Sequence, residues 1–247
     1  MKTRLLVLCV LGMVASSAFA NQIVVLSTGT GSQGEASNLT FLAGPSDGPF
    51  ASPFSSADFA SARSGDAGLF TNRNGFWATG SSLGADWIST KAFQNVLDGG
   101  GSALFALDFQ LTDNSFTSAT LTLNGGVDNS IGVDATVAAN FGLAGPVQGV
   151  YLNGSPLSGD SILTGGIFSA PAFSLQRTDV ASLLVHGTNT LYVYMADTGG
   201  PSGLAFTGTL DVIGTTVVPL PAGVWLFGTA LALLGGSKMR NSRFRRT

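Results

Sequence analysis

Apolar residues recur at every second position in four well-separated stretches of this chain. Phe105, Leu107, Phe109 and Leu111 alternate with Ala106, Asp108 and Gln110, and Ala119, Leu121 and Leu123 alternate with Thr120, Thr122 and Asn124. Ile131, Val133, Ala135 and Val137 repeat the pattern, as do Leu191, Val193 and Met195 against Tyr192 and Tyr194. A period of two places one set of side chains on one face of a pleated strand, so all four stretches read as half-buried strands. From residue 21 to residue 214 no helical period persists for three turns, and no internal repeat is found. Asn124-Gly125-Gly126, Asn153-Gly154, His186-Gly187 and Gly199-Gly200-Pro201 supply turn chemistry between the strands. Short strands at this spacing predict an all-β fold, an antiparallel β-sandwich, over 76–214. Residues 21–75 are less regular, with a strand expected over Gln22 to Ser27 and a loop from Gly44 to Pro53.

Charge divides the chain into three parts. Lys2 and Arg4 lie at one end and Lys238, Arg240, Arg243, Arg245 and Arg246 at the other. The stretch between keeps only Arg63, Arg73, Lys91 and Arg177 against fourteen acidic residues, a net charge of −10. So acidic a body repels phosphate backbones, which argues against nucleic-acid binding. The first twenty residues combine the basic start, an apolar stretch from Leu5 to Val14 and Ala18-Phe19-Ala20. That is the layout of a secretory signal peptide over 1–20, with Ala18 and Ala20 as the cleavage signal for signal peptidase. The chain's one cysteine, Cys9, falls inside it, so the mature protein is expected to lack disulfides.

At the far end, Val217 to Gly236 carries no charge, matching the ~20 residues that cross a hydrocarbon core. The basic tail behind it is expected to stay in the cytoplasm, leaving the body outside the inner membrane. Val218-Pro219-Leu220-Pro221, an apolar helix with the early Trp225, and the terminal basic cluster of Lys238, Arg240, Arg243, Arg245 and Arg246 together resemble the PEP-CTERM sorting domain over 215–247. The family's usual core is Pro-Glu-Pro, with Leu220 standing here for the Glu. The resemblance implies a Gram-negative, biofilm-forming bacterium, transient anchoring in the inner membrane, and an exosortase that cuts near Val218 to Pro221. The protein would then be released to the cell surface or the exopolysaccharide matrix. The prolines themselves stop the helix from extending upstream and keep an extended backbone at the membrane face.

A second resemblance covers roughly residues 76–213. In order, Ala85-Asp86-Trp87-Ile88-Ser89, Phe105 to Phe109, Ala119 to Leu123, Val127-Asp128-Asn129-Ser130, Val150 to Gly154, Leu183 to Leu191 and Gly203-Leu204-Ala205-Phe206 resemble galactose-binding-domain-like modules. This implies a jelly roll and transfers no ligand site.

Several constellations bear on chemistry. Gly29-Thr30-Gly31-Ser32-Gln33-Gly34 matches the dinucleotide fingerprint G-x-G-x-x-G, but Gly44, Pro45, Gly48 and Pro49 leave no room for the helix that must follow. Gly80-Ser81-Ser82-Leu83-Gly84 matches G-x-S-x-G, with His186, the chain's one histidine, downstream. The β/α alternation that a nucleophile elbow needs is missing, and His186 sits in an expected turn. Glycosidases need two carboxylates set to different pKa values, and no such pair is marked among one glutamate and thirteen aspartates. Asp108, Asp113, Asp128 and Asp134 are close enough in sequence to be calcium candidates, with turn capping as their ordinary role. Phe76, Trp77, Trp87 and Tyr151 are candidates for an apolar sugar platform; Trp87 is expected in the core and Trp77 is the candidate ligand residue. These readings converge on a secreted, non-enzymatic protein of an extracellular matrix, with polysaccharide either bound as a partner or only the matrix in which the protein is embedded, and no cofactor unless calcium. A calcium-dependent adhesion protein and a matrix-modifying hydrolase are the alternatives.

Overall fold

The computed structural model describes residues 17–72, 75, 77–94, 99–157 and 173–217, together with 226, 227 and 229. Among the described residues twelve strands carry the fold: β1 (Ser17–Ser27), β2 (Ala36–Ala43), β3 (Asp66–Phe70), β4 (Ile88–Ser89), β5 (Ala103–Leu111), β6 (Ser115–Asp128), β7 (Ser130–Ile131), β8 (Val150–Leu152), β9 (Ser155–Pro156), β10 (Phe173–Arg177), β11 (Gly187–Ala196) and β12 (Gly203–Val217). Among the described residues three short α-helices accompany them, α1 (Ser56–Arg63), α2 (Gly80–Leu83) and α3 (Ala135–Asn140), with a 3-10 turn at Ala181–Leu183.

Every ladder between these strands is antiparallel. The order is β10-β6-β12-β4-β3-β2-β5-β11-β8-β9, with β1 added on β12 and β7 on β11. This sheet curls until its two ends face each other. Leu121, Leu123, Phe206, Leu210 and Val212 from β6 and β12 share one core with Phe105, Leu107, Phe109, Leu191 and Val193 from β5 and β11. The all-β, antiparallel expectation therefore holds. Strands from before residue 76 take part, since β2 lies between β3 and β5 and β1 lines β12.

Three expectations about local structure are corrected. Ile131 to Val137 is not one strand: β7 ends at Ile131, and α3 begins after Asp134, whose side chain accepts the Val137 amide at 2.6 Å. A capping carboxylate of this kind outweighs a short apolar alternation. Asn124-Gly125-Gly126 is not a turn but lies inside β6, where Gly125 and Gly126 pair with Phe206 and Ala205. Glycine is required there by packing: a Cβ on Gly126 would fall 2.8 Å from the Trp87 ring, and one on Gly125 2.7 Å from Phe173. Finally, β11 is buried along both faces and β5 along most of both, so Tyr192 and Tyr194 do not face water.

The reason is a second, smaller core on the outer face of β5 and β11. There α1 and the loop that precedes it cover Leu104, Ala106, Tyr151, Tyr192 and Tyr194 with Phe50, Phe54, Phe59 and Ala62. By contrast, Asn153-Gly154 forms the tight β8–β9 turn expected, with φ of 51° and 84°, the two positive values that a type I′ turn demands.

The expected cleavage residues Ala18 and Ala20 lie in the first half of β1, opposite Thr216 and Gly214 of β12. Residues 1–16, the sorting residues Val218, Pro219, Leu220 and Pro221, and the basic residues Lys238, Arg240, Arg243, Arg245 and Arg246 lie outside the described residues. Among the described residues no helix is long and apolar enough to cross a membrane; of the expected span, Val217, Leu226, Phe227 and Thr229 alone are described.

Candidate functional site

The outer core is not closed over its whole width. Between α1 and the β8–β9 turn it leaves an open pocket of about 520 Å³. Phe54, Phe59 and Tyr192 form its aromatic surface, Ser56 and Arg63 its α1 side, and Asn153, Gly154 and Ser155 its opposite side.

Each wall has a local cause. Helix α1 starts in a full capping box: the Ser55 hydroxyl accepts the Asp58 amide, and the Asp58 carboxylate accepts the Ser55 amide at 2.7 Å. This fixes the entry angle of the helix and so the direction of Phe59 and Arg63, one turn apart on one face. The Phe59 ring stands 4.7 Å from Tyr192 and 5.1 Å from Tyr151, centroid to centroid, and Phe54 lies edge-on to Tyr151 and Tyr194. The Phe50 amide donates to the Tyr194 hydroxyl at 2.8 Å, tying the covering loop to β11. Burial pushes that hydroxyl up to about 12, so it stays protonated at any physiological pH. Glycine is needed at position 154 because φ is 84° and because Phe59 lies 3.3 Å from where a Cβ would be. Asn153 has its amide bonded to Leu183 and Asn189 and its carbonyl to the Thr190 amide. It builds the wall and has little left to offer a ligand.

The polar edge is an ion pair. Arg63 Nε and Nη2 donate to the two carboxylate oxygens of Asp108 at 3.1 and 2.9 Å, and the Thr190 hydroxyl adds a 2.6 Å bond to the same carboxylate. Partial burial works to raise the Asp108 carboxyl, but the bonds from Arg63 and Thr190 overcome it and hold it below the usual carboxylate range. Both side chains remain nearly half exposed, 44% and 46%, so the pair is open to a bound molecule.

The residues singled out in the sequence do not gather here, apart from Asp108. Trp77 is corrected from a platform to a core residue. It is 2% exposed, stacks on Trp87 with centroids 4.4 Å apart, and donates its indole N–H to Asp128 at 2.7 Å. Trp87 is buried as expected, and Phe76 lies outside the described residues. Tyr151, the fourth platform candidate, is buried as well, beneath Phe54 and Phe59.

The calcium candidates are likewise dispersed. Asp108 pairs with Arg63, Asp134 caps α3, and Asp128 accepts from Trp77. Asp113 is 1% exposed, and its carboxylate oxygens make no hydrogen bond. Among the described residues no three His, Cys, Asp or Glu side chains converge on a metal-sized site. Asp128 has another character: burial, with the charge of Asp197 nearby, raises its carboxyl to about 6 despite the Trp77 hydrogen bond.

Neither glycine motif has the context for its chemistry. After Gly29–Gly34 comes strand β2 instead of a helix, and the Gly31 amide donates to Asp86. Ser82 lies in the single turn α2 and donates to the Thr79 carbonyl, whereas His186 Nδ1 is 3.3 Å from the Asp113 carbonyl. These bonds leave no Ser82–His186 pair of the kind a nucleophile requires.

No family model and no curated protein matches the chain. Among solved structures, it is similar to a protein assigned as a beta-galactosidase from Bacteroides fragilis, at 13% identity and a TM-score of 0.29 over 76% of this chain and 23% of the other. It is also similar to the Podospora anserina GH26-CBM35 beta-(1,4)-mannanase, at 12% identity and a TM-score of 0.26 over 81% of this chain and 28% of the other. The chain thus spans about a quarter of either protein. Likenesses this distant carry no weight for function, which has to be read from the pocket.

Missed in the sequence was the aromatic group itself. Phe50, Phe54 and Phe59 fall in a stretch without strand periodicity, and Tyr192 and Tyr194 occupy the alternate positions of a strand whose other face is plainly the core. The available signal was that those alternate positions hold tyrosine where water-facing positions would hold charged or small polar groups.

Proposed function

We propose that this chain is a secreted, non-enzymatic protein of a polysaccharide matrix that holds carbohydrate in the pocket between α1 and the β8–β9 turn. One observation carries the reading: an open pocket joins an aromatic surface, Phe54, Phe59 and Tyr192, to an exposed ion pair, Arg63–Asp108. Sugars need this combination, because the C–H faces of a pyranose lie against aromatic carbon while its hydroxyls take hydrogen bonds at the edge. Export and C-terminal sorting follow from the chain's two ends, the signal-peptide layout and the likeness to PEP-CTERM domains.

Retention of the full-length protein on immobilised exopolysaccharide tests the reading. Arg63→Gln and Phe59→Leu should each reduce retention while leaving the circular dichroism spectrum unchanged. Equal retention of both variants would remove the pocket from the function. Release of reducing ends from the same polysaccharide would replace the binding protein with an enzyme.

A further inference from the structure

The geometry points to a neutral sugar as the occupant of this pocket: a pyranose presenting neighbouring hydroxyls to the Arg63–Asp108 pair, in preference to a uronate or a free amino sugar. This rests on the carbohydrate reading above and narrows it to a substrate class.

The first support is the state of the ion pair. Arg63 and Asp108 face each other through two parallel hydrogen bonds, so each charge already has its counter-charge. A ligand carboxylate would have to compete with Asp108 for the guanidinium, and a ligand ammonium would have to compete with Arg63 for the carboxylate. A neutral diol need do neither. Arg63 has five N–H donors and uses two of them on Asp108, which leaves Nη1 free to donate to one hydroxyl. Asp108 Oδ2, which accepts from Arg63 Nη2, has a further lone pair for the proton of the next. Donor and acceptor thus stand side by side, the arrangement that matches adjacent hydroxyl groups.

The second support, which bears on the uronate alone, is the field around the pocket. Asp58 on α1 and Asp66 at the start of β3 flank Arg63 in sequence, and the body between the chain's two basic ends carries a net −10. Approach of a polyanionic chain is therefore unfavourable at every distance that salt does not screen. Third, the rest of the lining is uncharged: Ser56 and Ser155 offer hydroxyls, and Phe54, Phe59 and Tyr192 offer ring surface.

The test compares three polymers on the native full-length protein: a neutral galactomannan, polygalacturonate and chitosan. Binding of galactomannan is expected, with affinity changing less than about twofold between low and high salt, because a neutral ligand gives screening nothing to act on. Asp108→Asn and Arg63→Gln are each expected to weaken it about tenfold, the range for hydrogen bonds to charged groups. The double variant should lose little more than either single one, since the pair acts as a unit. Tighter binding of polygalacturonate or chitosan, or an affinity that falls steeply with salt, would overturn the neutral-sugar assignment and leave carbohydrate binding standing. Failure of all three polymers to bind the folded protein would remove the carbohydrate reading as well. The comparison needs no variant, so the outcome is decided even where a substitution impairs folding.

Discussion

Trp77 and Asp128 form a buried unit whose behaviour follows from the placement of each. The tryptophan fills space between Trp87 and Gly203, where a Cβ on the glycine would come within 2.6 Å of the ring. Truncation to Ala should destabilise the protein by about 3–5 kcal/mol, the usual cost of losing a buried large aromatic. Chemical denaturation measures this, and retention on polysaccharide by the fraction still folded should be unchanged. Asp128 is the pH-sensitive member. Its folded value, about 6, lies above the ordinary carboxylate value, so the native state binds its proton more tightly than the unfolded chain does. The stabilisation from this proton is complete below about pH 4 and is lost as the pH rises through 6, about 2–3 kcal/mol in all. Asn at this position keeps an oxygen for the Trp77 indole and carries no charge. Asp128→Asn should therefore raise the urea midpoint at pH 7 and flatten the stability profile between pH 4 and 6. An unchanged slope would show that another group is responsible. Asp108 works the other way: its folded value is depressed, so its share of stability is present near neutrality and fades as the pH falls into the acid range.

Glycine inside β6 shows how an element answers to its neighbours. By strand propensity alone, Gly126→Ala would strengthen a strand. In this position the added methyl meets the Trp87 ring at 2.8 Å, and the ring is packed against Trp77. The expected outcome is a loss of about 1–3 kcal/mol, as for other overpacked cores, read from the thermal midpoint. A gain in stability would mean that the tryptophan pair can shift. Helix α1 illustrates the same dependence from the other side. It is eight residues long, too short to persist alone, and is held by its capping box and by Ala62, Phe59 and Phe54 against the sheet. Its orientation, and with it the pocket, is a property of the packed sheet.

For the molecule as a whole, the acidic body and the basic ends have separate fates in the proposed life of the protein. If Pro219-Leu220-Pro221 is a sorting site, mass spectrometry of protein recovered from the matrix should find no peptide between Trp225 and Leu234, and the released form should be acidic. Pro219→Ala together with Pro221→Ala should leave the full-length chain in the membrane fraction. Peptides from that stretch in the secreted pool would mean a permanent anchor. The described strands run close to both expected cuts. Ser17 to Ala20 pair with Gly214 to Val217, so cleavage after Ala20 would remove the start of β1 and leave the end of β12 without that partner, whereas a cut near Pro221 falls beyond the end of β12.

The period-two pattern by itself determined the class of fold and three of its principal strands, β5, β6 and β11, because alternation is a local consequence of pleating and needs no knowledge of what lies opposite; it failed over Ile131 to Val137, where the Asp134 cap starts a helix. Paired positive-φ residues likewise marked the Asn153-Gly154 turn, where the backbone requirement is local. What the tertiary structure alone decided was which residues had neighbours. Asn124-Gly125-Gly126 has turn composition yet sits mid-strand because two aromatic rings need the room. Tyr192 and Tyr194 occupy solvent positions by period yet are buried because α1 and its loop lie across them. The pocket joins α1, β11 and the β8–β9 turn, whose residues are separated by about ninety positions along the chain from Phe59 to Asn153 and by forty more to Tyr192. No spacing rule connects residues so far apart, because their proximity is produced by the pairing of β8 with β11 and the packing of α1 across the outer face of β5 and β11, not by any local preference.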